Sequence, residues 1–348
     1  MVQNKKNIFL SVCIPNYNYA EFVSKTIKSV LNQDIKDFEI LVSDNCSTDK
    51  STEIIKSIKD DRIKLKINNI NIGFAQNLNS VCANASGKRM ILLSSDDVAY
   101  EGAFNIYKKI DRHLGNKSNK TIFCSAQNII DSNDRILKKL RFLERVWKES
   151  KLDNVLSKKI GLKVYRIPSK VLLTNSLKYL CNPFSFCTTC YSKDIYGLAE
   201  GYPTGYYVNP DKAFHYRILS LTDEVIYVDH PLFGYRVHSN NKSSISTNIS
   251  TLKLLIDQYR YTLDLDNNIL NLCMTNKEKL VRSFVKYDIA LKSLELVAQN
   301  KRDMAIRYLN FGKSVYPKEV ARSIMVYILS LIIILGPFGI LISSIFYK

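Results

Sequence analysis

The sequence predicts an α/β fold in which a mostly parallel sheet carries helices on both faces. Short apolar runs alternate with amphipathic stretches over the first hundred residues, as expected of buried strands joined by helices. In chain order these segments are IFLSVCI, FVSKTIKSVL, FEILVS, TEIIKSI, IKLKI, FAQNLNSV and RMILL. At 348 residues, of which 46% are hydrophobic and 24% charged, the chain can bury one large or two ordinary cores.

The first helix is predicted by the spacing of its apolar side chains. Phe22, Val23, Ile27, Val30 and Leu31 recur at three- and four-residue intervals, so one stripe of the helix can face the sheet. Turn-forming residues separate the elements that follow, at Asn71, Gly73 and Gly87.

Beyond Asp131 the pattern becomes mixed. The short segments SFCTTCYS, EVIYV and LFGYRV are predicted to form strands beside one another. From about Ser250 to Tyr316 the spacing of apolar residues is helical.

The C-terminal segment from Ser323 to Tyr347 contains no charged residue and is dominated by Ile, Leu, Val and Phe. As a helix, its apolar part would run about 35 Å, enough to cross a hydrocarbon core of about 30 Å. Gly336 and Pro337 lie in its middle and would permit a kink or a re-entrant hairpin. We expect this segment to contact a membrane; a buried terminal helix is the alternative.

Cysteine usage and charge constrain the compartment and the partners. The eight cysteines lie mostly in apolar runs, and no secretory signal precedes Ile8, so we expect a reducing, cytosolic environment and a core-packing role for Cys187 and Cys190.

The net charge of the chain is +18, and the segment from Arg135 to Lys170 contains twelve Lys and Arg but only three Asp and Glu. Nucleic acid, anionic lipid and a phosphorylated substrate all suit such a charge, as does a merely solvated surface.

Polar side chains follow three of the predicted parallel strands. Open parallel sheets bind ligands beyond the carboxyl ends of their strands, so these side chains are the first candidates for a site. They are Pro15, Asn16, Tyr17 and Asn18 after the first strand, Asp44, Asn45 and Asp49 after the second, and Ser94, Ser95, Asp96 and Asp97 after a later one.

Over about residues 8 to 240 these motifs, in this order, resemble family 2 of the glycosyltransferases, whose nucleotide-binding half has the Rossmann-like fold called GT-A. SVCIPNYNYAEFVSKTIKSVLNQ resembles the opening strand and helix of that family. SDNCSTDKST is similar to the segment whose aspartate reads the nucleotide base, which implies that role for Asp44. The resemblance implies a donor site that includes Pro15, Tyr17, Asn18 and Asn45.

The metal motif of the family is Asp-x-Asp, and the matching residues here are Ser94, Ser95 and Asp96. The resemblance therefore implies Mg²⁺ or Mn²⁺ bound through Asp96 alone, with Ser95 at the donor. A hard divalent ion accepts carboxylate and phosphate oxygens and keeps several waters when protein ligands are few. A helix N-cap formed by SSDD is the structural alternative.

The general base of the family is implied at Asp211. In NPDKAFHYRIL, Asp211 and Arg217 have the family separation, although Pro210 replaces the usual glutamate. An N-cap role for Asp211 is the alternative. LFGYRVHSNNKSS resembles the closing element of the family and implies that Arg236 and His238 lie near the phosphates, where a cation would stabilise a leaving diphosphate.

The resemblance implies an inverting transferase that moves a sugar from a nucleotide-diphosphate sugar to a hydroxyl acceptor. The basic segment and the apolar tail favour a lipid-linked glycan as that acceptor, at the cytoplasmic face of a membrane. The expected organisation is a nucleotide-sugar-binding half at 1–115, an acceptor-binding and catalytic half at 116–249, a helical extension at 250–320 and a membrane-associated segment at 321–348. One alternative is a nucleotidyltransferase, but such enzymes usually have a Gly-rich loop after the first strand, and the segment PNYNYAEF at that place is not one. The other alternative is a catalytically inactive sugar-binding protein. A nucleic-acid-binding protein is not expected, because no recognition module accompanies the charge.

Overall fold

The computed structural model describes residues 7–142, 144–206, 208–238 and 248–335. The chain divides into two compact units, which are described separately. The first comprises residues 1–172, 182–206 and 210–242, and the second comprises residues 173–181, 207–209 and 243–348.

Within the described residues, eleven strands form one mixed sheet in the first unit. The strands are β1 (Leu10–Asn16), β2 (Phe38–Asp44), β3 (Ile63–Ile67), β4 (Arg89–Leu92), β5 (Val98–Ala99), β6 (Thr121–Ile130), β7 (Ile136–Leu140), β8 (Lys151–Leu152), β9 (Val164–Pro168), β10 (Cys190–Ser192) and β11 (Glu224–Arg236). Along the sheet the order is β3-β2-β1-β4-β10-β6-β11-β9-β8, with β5 paired to β11 and β7 paired to β6.

Helices cover the sheet and connect its strands. They are α1 (Val23–Leu31), α2 (Ser51–Ser57), α3 (Phe74–Cys82), α4 (Ala103–Leu114), α5 (Glu144–Trp147), α6 (Asn154–Ile160), α8 (Lys193–Leu198) and α9 (Pro210–Ser220). Helix α7 (Ser169–Tyr179) begins in this unit, and its residues from 173 onward belong to the second unit. Two 3₁₀ turns, at Gly115–Lys120 and Phe186–Thr188, complete this unit within the described residues.

The predicted alternation of strands and helices is confirmed in the first hundred residues. Strands β1 to β4 are parallel, in the order expected of a nucleotide-binding sheet, and every residue of β1, β2 and β4 is buried. Helix α1 packs through Val23, Ile27 and Val30, three of the five residues of the predicted stripe. Burial on both faces of the strands explains why their sequences are continuously apolar rather than alternating.

The prediction for the later strands is partly wrong. EVIYV and LFGYRV form one strand, β11, rather than two, because its pairing with β6 shifts register around Pro231 and then resumes. A β-bulge of this kind absorbs extra residues without ending the strand. SFCTTCYS is a 3₁₀ turn followed by only three residues of strand, although Cys187 and Cys190 are buried free thiols, as expected of core residues.

The second unit is helical over its described part, as predicted. After α10 (Asn248–Asp264) it contains α11 (Asn267–Leu272), α12 (Lys277–Phe284), a π-helical turn (Val285–Leu291), α13 (Lys292–Ala298), α14 (Arg302–Val315), α15 (Pro317–Ala321) and α16 (Ile324–Ile334). Tyr259 contacts the rings of Phe284, Phe311 and Tyr316 in its core.

Helix α16 is the described part of the apolar C-terminal segment, and residues 336–348 lie outside the described residues. None of the helices in the described ranges has the length and apolar character that crossing a bilayer requires.

Candidate functional site

The carboxyl ends of the parallel strands bring the predicted polar clusters to one edge of the sheet. Asn16 and Asp44 are register partners at the ends of β1 and β2, and the Leu93 amide donates to the Cys13 carbonyl where β4 ends. The turns after these strands therefore meet at a common edge, where a ligand of an open α/β sheet is expected.

Asp44 is fully buried and fixes the turn that follows β2. Its Oδ1 accepts hydrogen bonds from Asn16 Nδ2 and Ser47 Oγ, both at 2.6 Å, and its Oδ2 accepts one from the Ser47 amide at 2.9 Å. Asn45 is buried beside it and accepts from the Ile72 amide at 3.0 Å. Both side chains therefore hold neighbouring turns together at this edge of the sheet. Their contact with a nucleotide base stays a prediction.

The turn after β1 is joined to the turn after β2. Asn18 has φ +59° and its Oδ1 accepts from the Thr48 amide at 2.8 Å. Tyr17 is half-buried beside it, and the Pro15 carbonyl accepts from Ser95 Oγ at 2.8 Å. Three segments that are far apart in the sequence are thereby held as one surface.

A residue of α1 stabilises the loop of residues 94–97, called the Asp96 loop below. Thr26 Oγ1 lies 2.8 Å from the carbonyl oxygens of both Ser95 and Asp97. Helix α4 begins at Ala103 with Gly102 at its N-cap position, so the alternative in which SSDD caps that helix is wrong. The Asp96 loop follows the end of β4 and does not form the N-terminus of α4.

Asp96 is only 5% exposed, and its carboxylate lies against His238. The distance from Asp96 Oδ2 to His238 Nε2 is 3.1 Å, and the His238 ring packs on Phe22 with ring centroids 4.6 Å apart. The sequence predicted that these two residues share a site, and the structure places them together.

Arg236 is buried and stabilises the Asp96 loop through hydrogen bonds. Its Nε donates to the Asp96 carbonyl at 2.7 Å, and its backbone amide donates to Asp97 Oδ1 at 2.9 Å. Its Nη1 donates to the Asp131 carbonyl at 2.8 Å, and its Nη2 pairs with Asp134 at 2.5 Å. The structure therefore shows Arg236 joining the Asp96 loop to the turn between β6 and β7, while contact with a phosphate stays a prediction.

Asp97 was not assigned a role from the sequence. Burial, and then the charge of Asp96, raises the pKa of the Asp97 carboxyl well above its ordinary value. A protonated carboxyl is a poor ligand for a divalent cation, so Asp97 itself is not expected to coordinate one.

The described residues contain no group of three His, Cys, Asp or Glu side chains arranged to hold a metal ion. One carboxylate at Asp96 with His238 beside it fits a hard cation only as a partial coordination sphere, so phosphate oxygens and water would have to complete it.

Asp211 lies in the first turn of α9, one residue after Pro210, so it is not the N-cap residue of that helix. Its Oδ2 accepts from Asn182 Nδ2 at 2.7 Å, and Asn182 Oδ1 lies 2.7 Å from His215 Nδ1. Burial raises the pKa of Asp211 to about 6 and lowers the pKa of His215 to about 3. A neutral His215 with its proton on Nδ1 orients Asn182, whose amide then orients Asp211.

Asn182 and His215 were missed from the sequence, because no local motif links Asn182 to a helix 28 residues later. Arg217, the second residue of the family pattern, donates to the Ala199 carbonyl at 3.4 Å.

A cavity of about 290 Å³ lies in the first unit, and Asn182 is part of its wall. Four aromatic residues and several polar ones line it, among them Phe142, Trp147, Phe184, Tyr227, Gln127 and Ser185. Apolar walls with a few polar groups are typical of a small-molecule site.

Residues 11–162 match the family model described as "Glycosyl transferase family 2". The chain is 39% identical over 99 residues to a Campylobacter jejuni protein named GalNAc(5)-diNAcBac-PP-undecaprenol beta-1,3-glucosyltransferase, covering 28% of this chain and 32% of that protein. It is 30% identical over 128 residues to the Escherichia coli UDP-Glc:alpha-D-GlcNAc-diphosphoundecaprenol beta-1,3-glucosyltransferase WfaP, covering 37% of this chain and 49% of that one. The chain thus spans less than half of the length of either relative.

Two solved structures share the fold. Staphylococcus aureus TarS in complex with UDP-GlcNAc superposes with a TM-score of 0.59 at 15% identity, covering 97% of this chain and 89% of that one. The Pyrobaculum calidifontis mannosyltransferase PcManGT, in complex with GDP-Man and Mn²⁺, superposes with a TM-score of 0.52 at 13% identity. The superposition covers 99% of this chain and 89% of that one. At these identities the likeness shows the fold alone.

Proposed function

Since this chain carries a family 2 glycosyl transferase domain, we propose that the protein transfers a sugar from a nucleoside-diphosphate sugar to a hydroxyl group of an acceptor. The observation that carries the proposal is the shared edge of the sheet, where the turns after β1, β2 and β4 are tied together within the matched residues. The motifs of the family therefore form one surface and are not scattered over the fold.

The donor would lie along this edge. Asp44 and Asn45 would line the base, with Pro15, Tyr17 and Asn18 around the nucleoside, and the diphosphate would approach Asp96 beside Ser95, Arg236 and His238. A Mg²⁺ or Mn²⁺ ion on Asp96 would neutralise charge on the leaving diphosphate. The mannosyltransferase neighbour was solved with GDP-Man and Mn²⁺, which supports this cofactor class.

Asp211 would act as the general base. The acceptor oxygen attacks the anomeric carbon, the bond from that carbon to the diphosphate oxygen breaks, and the acceptor proton passes to the Asp211 carboxylate. One displacement inverts the anomeric configuration. A pKa of about 6 keeps most of Asp211 deprotonated at pH 7 while making it more basic than an ordinary aspartate.

A lipid-linked glycan is the proposed acceptor class. Both reported bacterial relatives are named for undecaprenol-linked substrates. We assign the terminal sugar ring of such an acceptor to the aromatic cavity, because Asn182 both lines it and donates to Asp211. Helix α16 exposes Ile324, Tyr327 and Ile334, which supports attachment of the enzyme to a membrane, and the proposed face is the cytoplasmic one.

The proposal is tested by turnover of nucleotide sugars with undecaprenyl-diphosphate-linked acceptors and Mn²⁺. The Asp211→Asn variant should lose about 10²–10⁴-fold in turnover while it still binds the donor. Asp194→Asn, at an exposed position of α8, is the matched control and should keep full activity.

Full turnover by Asp211→Asn would exclude the assigned base. Donor binding by the unaltered protein without transfer or hydrolysis would instead support the inactive sugar-binding alternative, which Ser94 and Pro210 favour.

A further inference from the structure

Strand β7 (Ile136–Leu140) exposes apolar side chains on both of its faces. The exposed fractions of Ile136, Leu137 and Leu140 are 63%, 60% and 40%, and every residue from 133 to 141 is exposed. Successive side chains of a strand point to opposite faces, so neither face of β7 is packed. A solvated edge strand normally carries polar residues, because an apolar edge promotes association.

Cations flank these apolar residues. The sequence from Arg135 to Arg141 is RILKKLR, with four positive charges and no acidic residue. Arg141 pairs with Asp229 at 2.5 Å, whereas Lys138 and Lys139 form no ion pair with any residue in the described ranges. The combination of large aliphatic side chains and lysines is typical of a surface that enters the headgroup region of an anionic bilayer.

The position of β7 links this surface to the candidate site. The turn between β6 and β7 is bound by Arg236, through the Asp131 carbonyl and the Asp134 carboxylate, and the same guanidinium binds the Asp96 carbonyl. At the other end of β7, Leu140 and Arg141 line the aromatic cavity. The strand therefore runs from the Asp96 loop to the proposed acceptor cavity.

We propose that β7 docks edge-on to a bilayer that contains anionic phospholipid, with Ile136 and Leu137 among the acyl chains and Lys138 and Lys139 at the phosphates. Lysine side chains are long enough to reach the headgroups while their methylene stems stay in apolar surroundings. Docking at this place would hold both ends of the candidate site at the membrane surface, where a lipid-linked acceptor is presented. The inference builds on the proposed acceptor class, but vesicle binding requires neither donor nor acceptor, so its failure is distinct from failure of the transferase assay.

Insertion is measured with tryptophan as the probe. The one native tryptophan, Trp147, is 1% exposed, so its emission should change little on binding. In the full chain, Leu137→Trp should shift its emission to the blue on phosphatidylglycerol vesicles and be quenched by brominated acyl chains. Ile70→Trp, at a 68% exposed position of the same unit, is the control and should show neither change.

The charge contribution is measured by partition onto the same vesicles. Lys138→Gln with Lys139→Gln should weaken binding about 25-fold, at about fivefold for each cation. Lys56→Gln with Lys59→Gln removes two exposed cations of the same unit and should weaken it less than threefold. Equal effects of the two pairs would overturn the proposal.

A Leu137→Trp signal that is identical to that of Ile70→Trp would also overturn it. So would a blue shift of Leu137→Trp that grows with protein concentration in the absence of vesicles, because the occupant of β7 would then be a second copy of the chain.

Discussion

Replacing Asp211 with Asn should stabilise the first unit at neutral pH. Burial raises the pKa of this carboxyl from 3.8 to about 6, so the folded state binds its proton more tightly than the unfolded state does. Between these two pH values the unfolded chain has lost the proton and the folded chain has not. The free energy of unfolding therefore falls as the pH rises through this window, and the loss is complete above about pH 6.

The size of the effect follows from the shift. Two pKa units correspond to about 3 kcal/mol, which is an upper limit because Asp211 is partly exposed. An amide has the same shape, does not ionise in this range and can still accept from Asn182. Asp211→Asn should accordingly raise the free energy of unfolding by about 1–3 kcal/mol at pH 7.5 and by no more than about 0.5 kcal/mol at pH 4.

Urea unfolding followed by tryptophan fluorescence measures this difference. Trp147 is buried in the first unit, so its emission reports the unit that contains Asp211. An equal change of the urea midpoint at both pH values, or destabilisation of the protein by Asp211→Asn at pH 7.5, would show that ionisation of Asp211 does not destabilise the folded state. Asp194→Asn, at an exposed position, should leave both midpoints within error.

Three further outcomes are expected. Gly87→Ala should lower the free energy of unfolding by about 1–3 kcal/mol in the same urea assay, because the added Cβ would lie 2.7 Å from the Ser11 amide nitrogen. Gly197→Ala is the control and should be neutral or slightly stabilising, because the space around its Cβ is open. Thr26→Val should weaken calorimetric donor affinity by about five- to tenfold, because the loop carbonyls on either side of Asp96 lose a hydroxyl partner. Asn182→Leu removes a hydrogen bond that lowers the pKa of Asp211, so carboxyl NMR should report a pKa above 6; an unchanged value would show that Asn182 does not tune the base.

The parallel half of the fold could be predicted because its signals are local. Buried strands such as Leu10–Asn16 and Phe38–Asp44 are continuous apolar runs, and polar residues mark where each run ends. That the turns containing Asp44 and Asp96 lie along one edge of the sheet then follows from the topology of parallel strands.

What the sequence could not reveal depends on contacts across the chain. The polar segment around Pro231 is typical of a turn, yet pairing with β6 carries β11 past it as a bulge. Asn182 acquires its role only through packing against α9, and Arg236 only through its contacts with the Asp96 loop and the turn before β7. No short motif records such tertiary partners.

Calorimetric titration of the donor decides whether the sheet edge at Asp96 is the donor site. Nucleoside diphosphates and their sugars, titrated with and without Mn²⁺, should bind the unaltered protein in a Mn²⁺-dependent way. Asp96→Asn should abolish the Mn²⁺ dependence, while Asp61→Asn, at an exposed position of the same unit, should preserve it. Equal Mn²⁺-dependent affinity in the unaltered protein and in Asp96→Asn would contradict the assignment of the sheet edge at Asp96 as the donor site.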